Sequence, residues 1–313
     1  MVGSPTITGR EVVVGSTESH LYAFDVETGN RVWDWRAPGA RPAIWSAVAV
    51  FKGLLIVGIG SQLGDGPQEV GRLVALDPAS GDQVWSTCAR PHCAAGGSIS
   101  SSPAIAATGH VFVGLGSPED ALWAIDAGIG KELWRRAFHR DSGRGKEVMA
   151  TPLVMYGTHS EAVAVGDAAG RFAVYDATTG RLRWSRQLIE GSPNHGIAGS
   201  PGGDRSALFV PAASAPAGLF ALSTTDGHTL WMRRTRDPVY SSPAVGRGVV
   251  VVGTGSRVGN AGAGSLLVLS ATSGEVLWSW EGGAAVVASP AIVGDSVYSA
   301  DRAGFLSAFR PRP

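Results

Sequence analysis

Short apolar runs, separated by glycine, asparagine or aspartate, follow one another along the whole chain. Residues 242–281 show the pattern well, with "SPAVG", "GVVVVGTG", "SLLVLS" and "EVLWSWE" in succession. Runs of this length, rich in β-branched residues and bounded by turn formers, are typical of β-strands. Because no segment has a convincing 3.6-residue period, the pattern predicts an all-β chain with four short antiparallel strands per unit.

One string of residues marks the end of each unit. It reads A-x-D-x-x-x-G-x-x-x-W, as in "AFDVETGNRVW", with Val for Ala in some copies. In its last two copies Ser223 and Ser270 replace the Asp. Six copies, 47 to 52 residues apart, end at Trp33, Trp85, Trp134, Trp184, Trp231 and Trp278. A second mark, Ser-Pro or Thr-Pro, recurs once per repeat, with its prolines at Pro5, Pro103, Pro152, Pro201, Pro243 and Pro290. The second repeat has Ala47 at this position.

Four antiparallel strands repeated about every 50 residues are typical of a β-propeller, in which each repeat forms one blade. The marks predict a single propeller domain over residues 1–313 with seven blades. Their approximate bounds are 4–45, 46–100, 101–150, 151–199, 200–241, 242–288 and 289–313. The last repeat stops after its third strand. It is therefore either a three-stranded blade or part of an eight-bladed propeller whose N-terminal part is missing from this sequence.

The repeated string has a structural role in this interpretation. The glycine allows the positive φ angle of a tight turn, and the Asp side chain accepts hydrogen bonds from backbone N–H groups of that turn. We expect the Trp, on the outermost strand, to lie between blades with its indole N–H directed at a carbonyl of the neighbouring blade.

Composition and charge narrow the classes of partner. The chain has 44 glycines, only 17% charged residues, and 26 basic against 26 acidic side chains. Without a basic block, no nucleic-acid partner is expected. No apolar run approaches the roughly 18 residues of a transmembrane helix, and the first residues show no signal peptide. Cys88 and Cys93 are close enough in sequence for a small disulfide, which would indicate an oxidising compartment, or they are two free thiols.

The six strings also resemble the repeat of the quinoprotein family, and the resemblance runs from Ser4 to Phe309. That family includes dehydrogenases that use pyrroloquinoline quinone, and a non-catalytic branch with a lipoprotein of the bacterial outer-membrane barrel-assembly machinery. Blades two and three, through "LLIVGIGSQ" and "HVFVGLGSPEDALWAIDAGIGKELW", are most similar to secreted dehydrogenases that oxidise alcohols. The resemblance implies a propeller in the periplasm or outside the cell.

Every long insertion falls on the loops of one face, where functional residues concentrate. These loops are 36–45, 61–71, 86–100, 138–149, 189–199 and 254–264. Residues just before the innermost strands should line the mouth of the channel; they are Arg41, Trp45, Glu147, Asn194, His195, Asp237 and Tyr240. For the polar ones the alternative is an ordinary exposed loop side chain. For Trp45 and Tyr240 it is packing between blades.

Two functions remain open at this stage. In the first, a monomeric, non-catalytic propeller binds a protein, a peptide or a small polar ligand on the long-loop face. In the second, the chain is a quinone-dependent alcohol or sugar dehydrogenase. The resemblance then implies Ca²⁺ held by oxygens of Glu147, Asn194 and Asp237, with Asp237 or His195 as the catalytic base. Trp45 would lie under the quinone, and Arg41 and Tyr240 would bind this cofactor.

Overall fold

The protein is all-β, and its strands form seven antiparallel sheets in sequence order. This computed structural model describes residues 3–62, 68–139, 146–156, 161–190, 196–256 and 262–310. The sheets are those of a β-propeller, as the repeat predicts. Within the described residues, no helix is long and apolar enough to span a bilayer.

The first three sheets each run from the innermost to the outermost strand along the chain. The first sheet contains β1 (Thr6–Thr8), β2 (Glu11–Gly15), β3 (His20–Asp25) and β4 (Arg31–Arg36). The second contains β5 (Pro42–Ala43), β6 (Ala49–Phe51), β7 (Leu54–Ser61), β8 (Arg72–Leu76) and β9 (Gln83–Cys88), followed by a 3₁₀ turn (Pro91–Cys93). The third contains β10 (Ala104–Ile105), β11 (His110–Gly114), β12 (Ala121–Asp126) and β13 (Glu132–Ala137).

The next three sheets repeat this order, and the last has one strand fewer. The fourth contains β14 (Leu153–Met155), β15 (Ala162–Gly166), β16 (Arg171–Asp176) and β17 (Leu182–Gln187). The fifth contains β18 (Gly202–Gly203), β19 (Ala207–Ala212), β20 (Gly218–Ser223) and β21 (Thr229–Arg234). The sixth contains β22 (Ala244–Gly246), β23 (Val249–Gly253), β24 (Ser265–Ser270) and β25 (Val276–Glu281). The seventh contains β26 (Ala291–Val293), β27 (Ser296–Ala300) and β28 (Leu306–Phe309).

One strand was not predicted. β5 lies inside the first long loop and pairs with the end of β7, where Ala43 faces Gly60. Its two residues are too few for a recognisable pattern of apolar positions, so pairing with the long strand β7 decides their conformation. By contrast, β24 has the bounds of the predicted strand "SLLVLS".

The turn between the third and fourth strands has one geometry throughout. In the first sheet, Gly29 has a φ of 70° and donates its N–H to the carbonyl of Asp25. The Asp25 carboxylate accepts the N–H groups of Glu27 and Thr28. A register shift between Ala23 and Phe24 precedes the turn, and equivalent shifts occur in the other sheets whose pairing of third and fourth strands is described. The predicted roles of the Asp and the glycine are confirmed.

The core consists of the middle strands of neighbouring sheets. Ile56 and Leu73 of the second sheet belong to one buried cluster with Val111, Val113 and Trp123 of the third. Such burial on both faces accounts for the continuous apolar runs in the sequence. The residues divide into two compact units, Met1–Val163 with Tyr175–Arg181 (unit 1) and Ala164–Val174 with Leu182–Pro313 (unit 2). The first three sheets lie in unit 1 and the last three in unit 2.

Candidate functional site

The described residues include five of the seven candidate site residues. Arg41, Trp45 and Glu147 lie in unit 1, and Asp237 and Tyr240 lie in unit 2. Each precedes the innermost strand of its sheet, as predicted from the sequence. The other two candidates, Asn194 and His195, lie outside the described residues.

Arg41 is held by its backbone and exposed at its side chain. Its N–H donates to the carboxylate of Glu69, and its carbonyl accepts the N–H of Gln62 at 3.1 Å. The Gln62 side-chain amide also donates to the carbonyl of Pro42. The loop is therefore fixed while the guanidinium remains accessible on the surface.

Trp45 is half-buried and is tied to the scaffold. Its indole N–H donates to the carbonyl of Ser61, at the end of β7, over 2.8 Å. The same part of the chain is held by the Ser46 hydroxyl, which accepts the N–H of Gly58. The indole N–H of Trp45 is thus bonded within the second sheet, and both interpretations of this residue, cofactor binding and packing between blades, stay predictions.

Glu147 lies against a different loop of unit 1. Its Cγ is 3.8 Å from the position that a Cβ on Gly116 would take, and Gly116 itself donates its N–H to the carbonyl of Ser98. The described contacts thus tie Glu147 to the loop after β11, and Arg41 and Trp45 to the loops flanking β7.

In unit 2, the backbone around Asp237 and Tyr240 is closely packed. The carbonyl of Asp237 accepts the hydroxyl of Thr235 at 2.7 Å, and Val239 is fully buried. A Cβ on Gly199 would lie 2.9 Å from the carbonyl oxygen of Tyr240, so only glycine fits there without a shift. This segment is built for close contact between the fifth and sixth sheets.

The long loops of unit 1 are joined to one another by backbone hydrogen bonds. Gln62 bonds to Arg41, Gly96 donates its N–H to the carbonyl of Glu69 at 2.9 Å, and Gly97 donates to Ser117 at 3.0 Å. Four successive loops are thereby connected in series. We call the described residues of 36–45, 61–71, 86–100 and 115–120 the joined-loop surface.

A disulfide closes the most exposed part of this surface. Cys88 and Cys93 are bonded, and residues 91–95 between and beyond them are exposed. His92, at the tip, has a φ of 54°, a left-handed conformation that is uncommon outside glycine. Arg72 lies below the loop, with its guanidinium 3.1 Å from the Cys88 sulfur. The sequence alone did not decide between a disulfide and two free thiols, and the structure shows the disulfide.

A chain of ion pairs anchors this loop to the third sheet. Glu119 binds Arg90 at 3.1 Å with one oxygen and Arg135 at 2.9 Å with the other. Arg135 also pairs with Glu132 and lies 5.1 Å from the centre of the Trp123 ring. Sequence reasoning missed these residues, because the loop after β9, the loop after β11 and strand β13 meet only in the folded protein.

The proposed Ca²⁺ site is not built by the described residues alone. Among them, no three His, Cys, Asp or Glu side chains are grouped so that they could hold a metal ion. Ca²⁺ takes six to eight oxygen ligands. Glu147 and Asp237 belong to different units, and Asn194 is outside the described part of the chain. A shared cation on these three residues stays a prediction.

A comparison with known protein families decides the relationship suggested by the repeat. The family model described as outer membrane protein assembly factor BamB matches residues 1–105, 69–197 and 170–313. The chain belongs to this family. The resemblance to quinoprotein repeats is thereby confirmed, since BamB-family blades and quinohemoprotein dehydrogenases both appear among its relatives.

Two sequence relatives and one solved structure show how far the likeness extends. BamB of Yersinia pestis is 30% identical over 121 residues, 37% of this chain and 29% of that protein. Quinohemoprotein alcohol dehydrogenase ADH-IIG of Pseudomonas putida is 30% identical over 144 residues, 42% of this chain and 19% of that enzyme. The matched part therefore spans less than a third of either relative. BamB from Moraxella catarrhalis has the same fold, with a TM-score of 0.74 at 18% identity, covering 99% of this chain and 85% of that one.

Proposed function

We propose that this protein is a non-catalytic propeller that binds a protein partner through the joined-loop surface. The observation that carries the proposal is the serial backbone hydrogen bonding of these loops, which fixes the backbone that carries exposed residues such as Arg41 and His92 before any partner arrives. A preorganised surface binds at a lower cost in conformational entropy than flexible loops. The relative named outer membrane protein assembly factor BamB supports a protein as the partner.

We also propose that the protein acts in the periplasm or outside the cell. The Cys88–Cys93 disulfide supports this location, because disulfides persist in oxidising compartments. The exposed loop that it closes belongs to the proposed binding surface, so the bond would preserve the shape of that surface there.

Site-specific photo-crosslinking in the producing cell tests the binding surface. A photoreactive phenylalanine analogue would replace Arg41 or His92 on the joined-loop surface. Matched controls would replace Glu27 or Ser80, which are exposed on the turns between third and fourth strands. We expect the same crosslinked protein from both loop positions and none from the turn positions. Crosslinks that are absent from the loops, or equal from both sets, would count against the proposal.

A quinone-dependent dehydrogenase is the second candidate, favoured by the identity to the Pseudomonas putida enzyme over 42% of this chain. Bound pyrroloquinoline quinone would supply an acceptor for the two electrons of an alcohol. In this candidate Asp237 or His195 would take the proton of the alcohol, and Arg41, Trp45 and Tyr240 would position the cofactor.

Dye reduction separates the two candidates. The protein is mixed with pyrroloquinoline quinone, Ca²⁺, an alcohol and an electron-accepting dye. We expect no reduction above that of a protein-free control. Reduction that is lost in Asp237→Asn but kept in Asp34→Asn, an exposed carboxylate on β4, would establish the dehydrogenase instead.

A further inference from the structure

The two halves of the Cys88–Cys93 disulfide have different surroundings. Cys88 is the last residue of β9; it is half-buried and lies directly opposite Arg72 in the pairing of β9 with β8. Cys93 ends the 3₁₀ turn and is exposed, as are the residues on either side of it. A reagent from solvent therefore has better access to Cys93, while Cys88 is fixed in the sheet.

Arg72 places a positive charge beside both sulfur atoms. Its Nη1 is 3.1 Å from the Cys88 sulfur and 3.9 Å from the Cys93 sulfur. Its Nε is buried without a hydrogen-bond partner among the described residues, and no carboxylate of these residues forms an ion pair with the guanidinium. Because disulfide sulfur is neutral and accepts hydrogen bonds weakly, the charge of Arg72 is poorly compensated while the bond is intact.

The carboxylates of the adjoining loops bind other groups. Glu119 forms ion pairs with Arg90 and Arg135, and Glu69 accepts the backbone N–H of Arg41. The sulfur atoms themselves are thus the nearest groups that could carry a negative charge next to the guanidinium of Arg72. A thiolate is stabilised beside an arginine, so reduction of the disulfide would supply the missing counter-charge.

The backbone of the loop also favours opening. His92 and Cys93 have φ angles of 54° and 52°, a left-handed conformation that is uncommon for residues other than glycine. The N–H of Cys93 donates to the carbonyl of Arg90 at 3.2 Å. Breaking the sulfur–sulfur bond would free His92 and Cys93 to leave this conformation, whereas Cys88 would stay paired in β9.

We propose that the Cys88–Cys93 disulfide is a thiol–disulfide exchange site in which Cys93 is attacked and Cys88 is the leaving group. An incoming thiolate forms a bond to the Cys93 sulfur. The bond between Cys93 and Cys88 breaks, and its electron pair stays on the Cys88 sulfur as a thiolate beside Arg72. A leaving thiolate that is stabilised departs faster, and a stabilised reduced form makes a disulfide easier to reduce.

A second thiolate, from the same dithiol or from a second thiol molecule, completes the reduction. It attacks the sulfur of the reagent in the mixed disulfide, and Cys93 is released while the reagent leaves as a disulfide. The two thiols lose two electrons to the protein. Of their two protons, one goes to Cys93 and the other to water, since Cys88 remains a thiolate. This chemistry is independent of the protein partner proposed above.

Reduction of the 313-residue protein in glutathione buffers tests the role of Arg72. Free thiols are trapped with N-ethylmaleimide and counted by mass spectrometry. We expect Arg72→Gln to lower the equilibrium constant for reduction about tenfold and to slow the reaction by a similar factor, because the Cys88 thiolate loses its counter-charge. Arg72→Lys, which keeps the charge, should stay within about threefold of the parent. Arg31→Gln, an exposed position on β4, is the control and should match the parent.

The site of attack is read from the mixed disulfide. A short exposure to reduced glutathione, followed by N-ethylmaleimide, should give peptides with glutathione on Cys93 and maleimide on Cys88. Parallel reactions with reduced glutathione and with reduced thioredoxin separate a small thiol from a protein dithiol as the source of the thiolate. The faster of the two at equal concentration identifies the source.

Three results would overturn the proposal. The first is resistance of the folded protein to both reagents. The second is glutathione mainly on Cys88, because Arg72 would then not stabilise the leaving group. The third is the same equilibrium constant in the parent and in Arg72→Gln. Circular dichroism checks that Arg72→Gln is folded. If it is not, the mixed disulfide of the parent and the reduction of Arg72→Lys decide.

Discussion

Single hydroxyl and carboxylate groups hold the turns and the innermost strands of this protein. The carboxylate of Asp25 accepts the N–H and the hydroxyl of Thr28, and these hydrogen bonds lower the pKa of Asp25. The hydroxyl of Ser102, from the Ser-Pro mark, accepts the N–H of Ala47 in the preceding sheet at 2.9 Å. The Ser242 hydroxyl does the same for Ser200. The Ser-Pro mark therefore joins neighbouring sheets, a role the sequence did not reveal.

Replacing Ser102 with Ala should destabilise the protein measurably. The change leaves the N–H of the half-buried Ala47 without its acceptor. Because a fully buried, unsatisfied N–H costs about 1–3 kcal/mol, we expect a loss near the lower end, about 1 kcal/mol. Urea unfolding of the variant would give the loss in free energy. Ser86→Ala is the matched control, because Ser86 is exposed on β9, and should change stability by less than about 0.5 kcal/mol. Equal losses of stability in the two variants would contradict the role of Ser102 in joining neighbouring sheets.

Asp226 should titrate at unusually low pH. The hydrogen bond from the His228 side chain, at 2.7 Å, is the main cause that lowers its pKa from 3.8 to about 2. A carboxylate with a lowered pKa stabilises the folded state fully above its ordinary pKa, and this contribution is lost as the pH falls through about 2. Carboxyl NMR titration would measure the pKa, and His228→Ala should move it back towards 3.8. An unchanged value in the variant would contradict this cause.

The outermost strands stabilise the fold by docking their tryptophans on the next sheet. Trp33, Trp85 and Trp134 in unit 1 donate their indole N–H to carbonyls of the following turn, at 2.7 to 3.1 Å. The position two residues after the Trp often adds a second contact, as when Arg136 donates to the carbonyl of Gly180 at 2.8 Å. The outermost strand of one sheet and the turn of the next sheet are thus held together by these two contacts.

Trp134 and Trp278 should differ in their contribution to stability. Trp134 is 6% exposed, so Trp134→Ala removes a buried aromatic ring and should cost about 3–5 kcal/mol. Trp278 is 40% exposed, and Trp278→Ala should cost less than half as much. Denaturant unfolding of both variants measures the difference. A loss below about 1 kcal/mol for Trp134→Ala would contradict the docking role.

The disulfide loop should matter more for binding than for stability. It closes over only five positions, and short loops gain least from cross-linking, so Cys88→Ser with Cys93→Ser should cost about 2 kcal/mol or less. The opened loop should lose the crosslink from position 92 while the sheets remain intact. Thiol titration of the unfolded, unreduced parent protein should find no free thiol. Two free thiols would contradict the bond and the proposed oxidising compartment.

The whole molecule combines a formal net charge of zero with the repeated scaffold of the BamB family. Exposed aliphatic side chains recur on the outer strands, as with Val32, Val84 and Leu133, and single exposed side chains of this kind are normal on monomers. We therefore expect the chain to sediment as a monomer of 32.2 kDa. Sedimentation at several concentrations is the measurement, and a concentration-dependent dimer would contradict it.

Much of the fold could be predicted from the sequence, because its signals are local. A D-x-x-x-G turn needs only one carboxylate and one positive φ, and both lie within five residues, as Asp25 and Gly29 show. The periodic Trp then predicts a contact between each outermost strand and the turn of the next sheet, since the same turn recurs about every 50 residues. The five described candidate residues precede the innermost strands of their sheets, but the groups that they contact were not predictable from the sequence.

The repeat, the four-stranded units, the turn geometry and the family were determined by the sequence itself, because each rests on contacts between residues close in the chain or repeated at a fixed period. Only the tertiary structure decided which residues the loops contact. In the structure the N–H of Arg41 donates to Glu69, and the Trp45 indole donates to the carbonyl of Ser61. Glu119 forms ion pairs with both Arg90 and Arg135. These pairs are separated by irregular segments that carry no periodic signal, and their meeting depends on how the sheets pack together.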